Sequence, residues 1–260
     1  MQDVSQLPQY KRICTAAFLS ICGMKGGILL RQVLRNERKF LINTVDFTAK
    51  KHQLRQLLHE DPHNGPEGYL IRSLYFDTEY DDDLFDKAFG MEVRKKLRLR
   101  LYDPTGDFAV LEMKQKQGVQ QCKRSLRLSR EDAQRLIAGD HAPLLRYREP
   151  FAAECYALMQ TRCYRPRTIV EYRRMGFVAK ENSIRVTFDH RIEATASSFD
   201  LFAPKLLMVP VMDLSQAVLE VKYNGFLLSY IKDLLGDLGR SELSVSKYGM
   251  ARQLSYHEHL

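Results

Sequence analysis

Between residues 93 and 102 the chain reads VRKKLRLRLY, with Val93, Leu97, Leu99 and Leu101 on one parity and Arg94, Lys96, Arg98 and Arg100 on the other. A period of two is the signature of a β-strand with two unlike faces. The same alternation recurs along the chain and predicts strands at 37–43, 69–77, 93–102, 108–116, 121–128, 167–178, 183–192 and 217–224. YDPTGDF, with Pro, Gly and Asp at its centre, predicts a hairpin turn between the third and fourth strands. Helical spacing predicts helices over 48–60, 129–139, 150–162 and 225–239, and a last one following VSKYGMARQL. Ser129 stands three residues before Asp132, a capping-box spacing, and Gly139 closes the same helix.

The polar parity of these strands is unusual in being charged. Glu112, Lys114 and Lys116 oppose Leu111 and Met113; Lys123, Ser125 and Arg127 oppose Leu126 and Leu128. Arg185, Thr187 and Asp189 oppose Ile184, Val186 and Phe188; Glu220 and Lys222 oppose Leu219, Val221 and Tyr223. Glu37 and Lys39 share one side of the first strand. In an open sheet this face would simply be wet. In a closed one it lines a polar interior, and the apolar parity lies under helices. Two helices carry stripes fit for that cover: Leu54, Leu57 and Leu58, and Leu227, Leu228, Ile231, Leu234 and Leu235. The expected architecture is therefore α+β: an antiparallel β-barrel tunnel of about eight strands, with a polar, basic lumen and flanking helices.

Charge sharpens that expectation. The formal net charge is +8, so anions are the natural partners: nucleic acid, phosphates or acidic lipid. Lumen cations repel one another when the tunnel is empty and gain by taking a polyanion as counter-charge. Glu37, Glu112 and Glu220 relieve part of the repulsion and are hard oxygen donors suited to Mg²⁺ or Mn²⁺. Glu112/Lys114 and Glu220/Lys222, as i, i+2 neighbours, are not expected to pair within one strand; across strands each pair would contribute about 0.2–1 kcal/mol. Lone lysines such as Lys39, Lys123 and Lys247 are more often solvated surface cations. Tyr75, Phe76 and Phe188 read as core.

Other features narrow the class. The five cysteines contain no CxxC pair and no zinc spacing, which implies reduced thiols and a cytoplasmic protein. No apolar run reaches the ~20 residues of a membrane span, although a membrane-anchored partner is compatible with the sequence. Ile13–Cys22 resembles a short signal-peptide core, yet no small-residue cleavage site follows it. Residues 1–33 read as a poorly specified extension, within which Met24 is read as the start of the domain proper, and 34–260 as a single domain. His257 and His259 read as a solvated tail. GMKGG at 23–27 lacks the Gly-Lys-Ser/Thr ending of a phosphate-binding loop. A barrel for single-stranded nucleic acid needs aromatics among its cations, and the charged parity carries few, so no nucleic-acid partner is expected.

Taken in order, ERKF (37–40), IRSLYFDT (71–78), RKKLRLRLY (94–102), LEMKQK (111–116), YRRMGF (172–177), IRVTFD (184–189), LEVKY (219–223) and SKY (246–248) resemble the VTC domain. That domain is the catalytic module of the vacuolar transporter chaperone polyphosphate polymerase, within the triphosphate tunnel metalloenzyme (CYTH-like) superfamily. The resemblance implies transfer of the ATP γ-phosphoryl group onto inorganic polyphosphate, with Mn²⁺ or Mg²⁺ as cofactor. It implies catalytic roles for Arg98, Arg100 and Lys114, and phosphate binding by Lys39, Lys123, Arg174, Arg185, Ser246 and Lys247. Glu220 would hold the metal. Arg174 is chosen over Arg173 because Tyr172 to Arg174 matches the Tyr-x-Arg of the family.

Two departures bear on activity. The superfamily's first strand carries Glu-x-Glu-x-Lys, where this chain has Arg35, Glu37 and Lys39. One acidic ligand fewer points away from a two-metal triphosphate hydrolase. The chain also has neither the phosphate-sensing SPX domain nor the membrane helices of the eukaryotic complex, so regulation and translocation are not expected of it. Hydrolysis of triphosphate or polyphosphate, and binding without catalysis, remain open on residue type alone.

Overall fold

The computed structural model describes residues 35–257 apart from 119, 237 and 239–245. The expected extension over 1–33 and the histidine at 259 lie outside the described residues.

Eight strands form one antiparallel path: β1 (Arg35–Asn43), β3 (Tyr69–Asp77), β4 (Val93–Leu101), β5 (Phe108–Gln117), β6 (Gln120–Ser129), β7 (Arg165–Val178), β8 (Arg185–Thr195) and β10 (Gln216–Asn224). Their order across the sheet is β1-β10-β8-β7-β3-β4-β5-β6. Two-residue strands β2 (His59–Glu60) and β9 (Val209–Pro210) add to β7 and β8. The helices are α1 (Thr44–Leu57), α2 (Asp82–Ala88), α3 (Arg130–Ile137), α4 (Pro150–Thr161), α5 (Ser229–Gly236) and α6 (Lys247–His257). None of the described helices is long and apolar enough to cross a membrane.

The architecture is the expected α+β tunnel, with one difference. β1 and β6 end the ladder without pairing to each other. Both edges carry cations, Arg38 and Lys39 on one and Lys123, Arg124 and Arg127 on the other, and charged edges resist pairing. Side chains span the seam instead: Lys114 Nζ on β5 lies 3.3 Å from Glu37 Oε2 on β1.

Register makes the tunnel two-sided. Lys39 pairs with Glu220, Glu220 with Thr187, Arg174 with Asp189, Ser73 with Arg100, Arg98 with Glu112, and Lys114 with Lys123. A one-residue slip on any strand would turn its charges into the apolar outer layer, so burial of that layer enforces the register. On one outer flank Leu97, Leu99, Leu111, Met113, Leu126 and Leu128 pack under α3 and α4. On the other, Phe40, Phe177, Phe188 and Leu219 pack under Leu54 and Leu58, and under Ile231, Leu234 and Leu235 of α5. Leu57, expected in the first stripe, is exposed.

Helix boundaries follow capping chemistry. α1 begins at Thr44 rather than 48, because the Asn43 side chain accepts from the Asp46 amide at 2.8 Å. Ser129 caps α3 as expected, accepting from the Asp132 amide at 3.1 Å. α2 has no counterpart in the periodicity; the amides of Asp83 and Leu84 donate to the Asp77 carboxylate at the end of β3.

Gly68 enters β3 at φ +80°, and an added Cβ would lie 2.2 Å from the Arg174 carbonyl oxygen. Left-handed strain together with that overlap should make Gly68→Ala cost about 3 kcal/mol in a urea titration. A midpoint equal to that of the parent would contradict the turn's role in seating β3 against β7.

Candidate functional site

The lumen is organised around carboxylates, each shared by several cations. Glu112 on β5 is the first. Arg98 reaches it through Nε at 2.8 Å and Nη2 at 2.7 Å, Arg100 lies at 3.7 Å, and Lys123 contacts its other oxygen. Burial raises the Glu112 carboxyl, but Arg98 and Arg100 outweigh it and hold the group down at about 2. Arg98 also donates to the Tyr75 hydroxyl at 3.1 Å, and Arg100 donates to Ser73 Oγ at 3.3 Å. Tyr75 is buried as expected, yet it stands on the lumen parity; it helps fix the Arg98 guanidinium.

The second hub is Asp189 on β8, which is fully buried. Arg174 grips it bidentately at 2.6 and 2.7 Å, and Lys247 approaches at 2.6 Å. Burial alone would raise Asp189, and the two cations bring it to about 2 instead. The Tyr172 ring backs both, with Lys247 Nζ 4.8 Å and the Arg174 guanidinium 5.4 Å from its centroid.

The third is a pair of acids. Glu37 and Glu220 stand side by side, both within reach of Lys39, which lies 2.8 Å from Glu37 and 3.8 Å from Glu220, and Lys222 lies 3.1 Å from Glu220. Burial pushes both carboxyls up; Lys39 and Lys222 more than offset it and hold both below the usual range. Glu220–Lys222 is therefore an i, i+2 pair within one strand, contrary to the expectation, and Glu37–Lys39 is a second such pair. Two same-face residues are too far apart for short side chains, but a lysine stem spans the gap.

Arg185 lies farther along β8, 2.7 Å from Asp61 and 3.0 Å from the Tyr69 hydroxyl. Ser246 leads α6 into the lumen; its hydroxyl accepts from the Gly249 amide at 3.2 Å and from Lys96 Nζ at 2.7 Å. Tyr248 stacks on Tyr75 at 4.9 Å and donates to Asp77 at 2.7 Å, anchoring the helix.

Thus the sequence-derived residues Lys39, Arg98, Arg100, Lys114, Lys123, Arg174, Arg185, Glu220, Ser246 and Lys247 all stand on the lumen side, Arg185 apart from the three hubs on Asp61 and Tyr69, while Arg173 takes the other face of β7. Asp189, Glu37 and Lys222 stand on the same side, and strand parity could have placed them there. Asp61 sits after β2 in a turn with no periodicity to betray it.

Divalent-metal chemistry fits the Glu37–Glu220 pair. Two adjacent carboxylates suit Mg²⁺ or Mn²⁺ when phosphate oxygens and water complete the shell. Among the described residues no group of three or more His, Cys, Asp or Glu could form an all-protein cage. A metal here would need its substrate to complete it.

Residues 34–256 match the VTC domain family. No curated protein matches the chain. Among solved structures, a Bacillus halodurans protein provisionally named an adenylate cyclase superposes with a TM-score of 0.48 at 15% identity, covering 82% of this chain and 95% of that one. PH1012 from Pyrococcus horikoshii gives 0.41 at 12% identity, covering 83% and 98%. PH1819 from the same organism gives 0.42 at 11%, covering 85% and 99%.

Proposed function

This chain belongs to the VTC domain family, and on that premise we propose that it is a polyphosphate polymerase, transferring the γ-phosphoryl group of ATP to a growing inorganic polyphosphate chain. The observation that carries this reading is the lumen's charge arithmetic. Glu112 is shared by three cations, Asp189 by two, and Glu37 with Glu220 by four, Lys39, Lys114, Lys222 and Arg174, the last bridging to Asp189. Carboxylates fix the cations in place without neutralising them all. What remains is a rigid, positive tunnel suited to a chain of phosphates.

Phosphoryl transfer needs alignment of donor and acceptor and neutralisation of the equatorial oxygens. Arg98 and Arg100, oriented by Glu112 and held from behind by Tyr75 and Ser73, supply donors to the transferring group. Lys114, on the lumen parity of β5 two residues beyond Glu112, neutralises charge on the same phosphates. The terminal phosphate of the acceptor chain is already ionised, so an oxygen of it attacks the γ-phosphorus without a general base. The β–γ P–O bond breaks and ADP departs. Arg174, Arg185, Lys39, Lys123, Ser246 and Lys247 hold the remaining phosphates in line. A divalent ion at Glu220 and Glu37 would add charge neutralisation on bound phosphates.

Single-stranded nucleic acid is poorly served by this lumen. Tyr75 is already stacked on Tyr248, and Tyr172 is covered by Lys247 and Arg174. Neither ring offers a free face to a base.

Incubation with ATP and Mn²⁺ tests the proposal. Long chains on a gel are the expected product; free phosphate alone would make the protein a hydrolase, and tight polyphosphate binding without turnover a receptor.

A protonation signature should accompany binding. Burial first, then Lys39, Lys87, Arg98 and Lys114, depress the Lys96 ammonium to about 7 from 10.5. A polyanion beside it restores the proton, so binding near pH 8 should take up protons and weaken as pH rises. Calorimetry in two buffers of different ionisation enthalpy would show identical apparent heats if this were wrong.

A further inference from the structure

The three carboxylate hubs account for most lumen cations, but not for those at one end of β4 and β5. There the register sets like charges directly opposite one another: Arg94 against Lys116, and Lys96 against Lys114. Lys114 also stands opposite Lys123 on β6. Directly opposed like charges destabilise a sheet. Lys114 and Lys123 are compensated by Glu37 and Glu112. Arg94, Lys96 and Lys116 have no carboxylate within ion-pair distance among the described residues. Lys96 donates to the Ser246 hydroxyl and lies 5.9 Å from the Tyr248 ring centroid, and Arg94 donates to the Met91 carbonyl at 3.2 Å.

Lys116 is depressed by burial, then by Arg94 and Lys114, with Glu37 pulling the other way. Lys87 on α2 adds to the same field: burial, then Arg94, Lys39 and Lys116, hold it down. The tunnel thus has two electrical regions. One contains carboxylates that fix their cations. The other centres on Arg94, Lys96 and Lys116, which have no carboxylate within ion-pair distance among the described residues, and is built at a cost in sheet stability.

We propose that Arg94, Lys96 and Lys116 form a chain-holding subsite for linear polyphosphate, beyond the region where phosphoryl transfer occurs, and that it selects long chains over short ones. This rests on the polyphosphate reading of the tunnel. A tripolyphosphate occupying the Arg98–Arg100 centre does not need the outer cluster. A long chain threads past it and supplies the missing anions, one phosphate for each opposed pair. Each contact releases the repulsion that the empty site stores, so the outer cations favour length.

The test compares tripolyphosphate with long-chain polyphosphate by calorimetric titration, without turnover. In the doubly substituted R94Q/K116Q protein, affinity for the long chain should fall roughly tenfold or more, while affinity for tripolyphosphate changes far less. Lys232→Gln, on the exposed face of α5, removes a charge outside the tunnel and serves as the control. Equal losses for both ligands, no loss for either, or an equal long-chain loss in the Lys232 variant would each overturn the proposal. Thermal melting checks the fold, and relief of the Arg94–Lys116 repulsion should leave the melting temperature unchanged or raised; a collapse of it would also count against the cluster being an electrostatic device. If the parent protein binds neither ligand, the polymerase reading itself fails, and the subsite with it.

Discussion

Arg98→Ala is expected to abolish polyphosphate synthesis, by at least about 10³-fold, while leaving the fold intact. Removing one preorganised donor from a developing oxyanion costs about 10²–10³ in rate, and arginines on transferring phosphoryl groups can contribute more. Arg98 is held on two sides, by Glu112 at 2.7–2.8 Å and by the Tyr75 hydroxyl at 3.1 Å, so its guanidinium cannot follow a different substrate geometry. The fold should survive because Glu112 keeps Arg100 and Lys123 as partners. Arg98→Lys keeps the charge but loses the planar fork and should restore little of the rate. Assaying ATP-dependent chain formation beside a melting curve checks both halves. Undiminished synthesis in Arg98→Ala would remove Arg98 from the mechanism.

The second large effect is on stability. Asp189→Asn leaves Arg174 and Lys247 facing a neutral amide in a site where Asp189 itself is fully buried. Breaking a buried ion pair from one side costs about 3–5 kcal/mol, because the stranded charges stay desolvated. For a domain of this size that corresponds to a melting temperature lower by roughly 10 °C. The pH dependence has a definite sign. Asp189 is held at about 2 against an ordinary 3.8, so its contribution is complete above 3.8 and is lost as pH falls toward 2. The Asn variant should lose that part of the acid dependence. A variant melting like its parent at neutral pH would mean that Asp189 carries no such load.

Much of this was legible in the sequence, and for a physical reason. Strand parity is a strict period of two, so a charged face on one strand must meet the charged faces of its neighbours once the apolar faces are buried. Arg98, Glu112, Lys114, Arg185 and Glu220 could be placed in a common lumen on that basis. What escaped has no period. α2 is a short helix opening on three aspartates, Asp81, Asp82 and Asp83, and it is organised by the distant Asp77 carboxylate rather than by an apolar stripe. Asp61 reaches Arg185 from a turn. The short reach assumed for i, i+2 pairs failed at Glu220–Lys222, because a lysine stem is long enough to fold back along its own strand. The open seam between β1 and β6 reflects charge on the two edges, which hydrophobic alternation does not report.

The roles of Asp189 and Glu112 were also harder to read than their positions. A carboxylate in a basic lumen suggests a metal ligand. Here both are counter-ions that orient arginines, and the acidic pair suited to a metal is Glu37 with Glu220. Separating those roles takes distances, since residue type is the same in each.

The proposed function requires the lumen to hold a chain of phosphates through fixed cations. Titration of the protein with tripolyphosphate in a calorimeter tests it most directly. A single saturable phase that weakens with added salt and is lost in Arg98→Ala is the expected result. Absence of saturable binding, or binding of equal strength in Arg98→Ala, would contradict it.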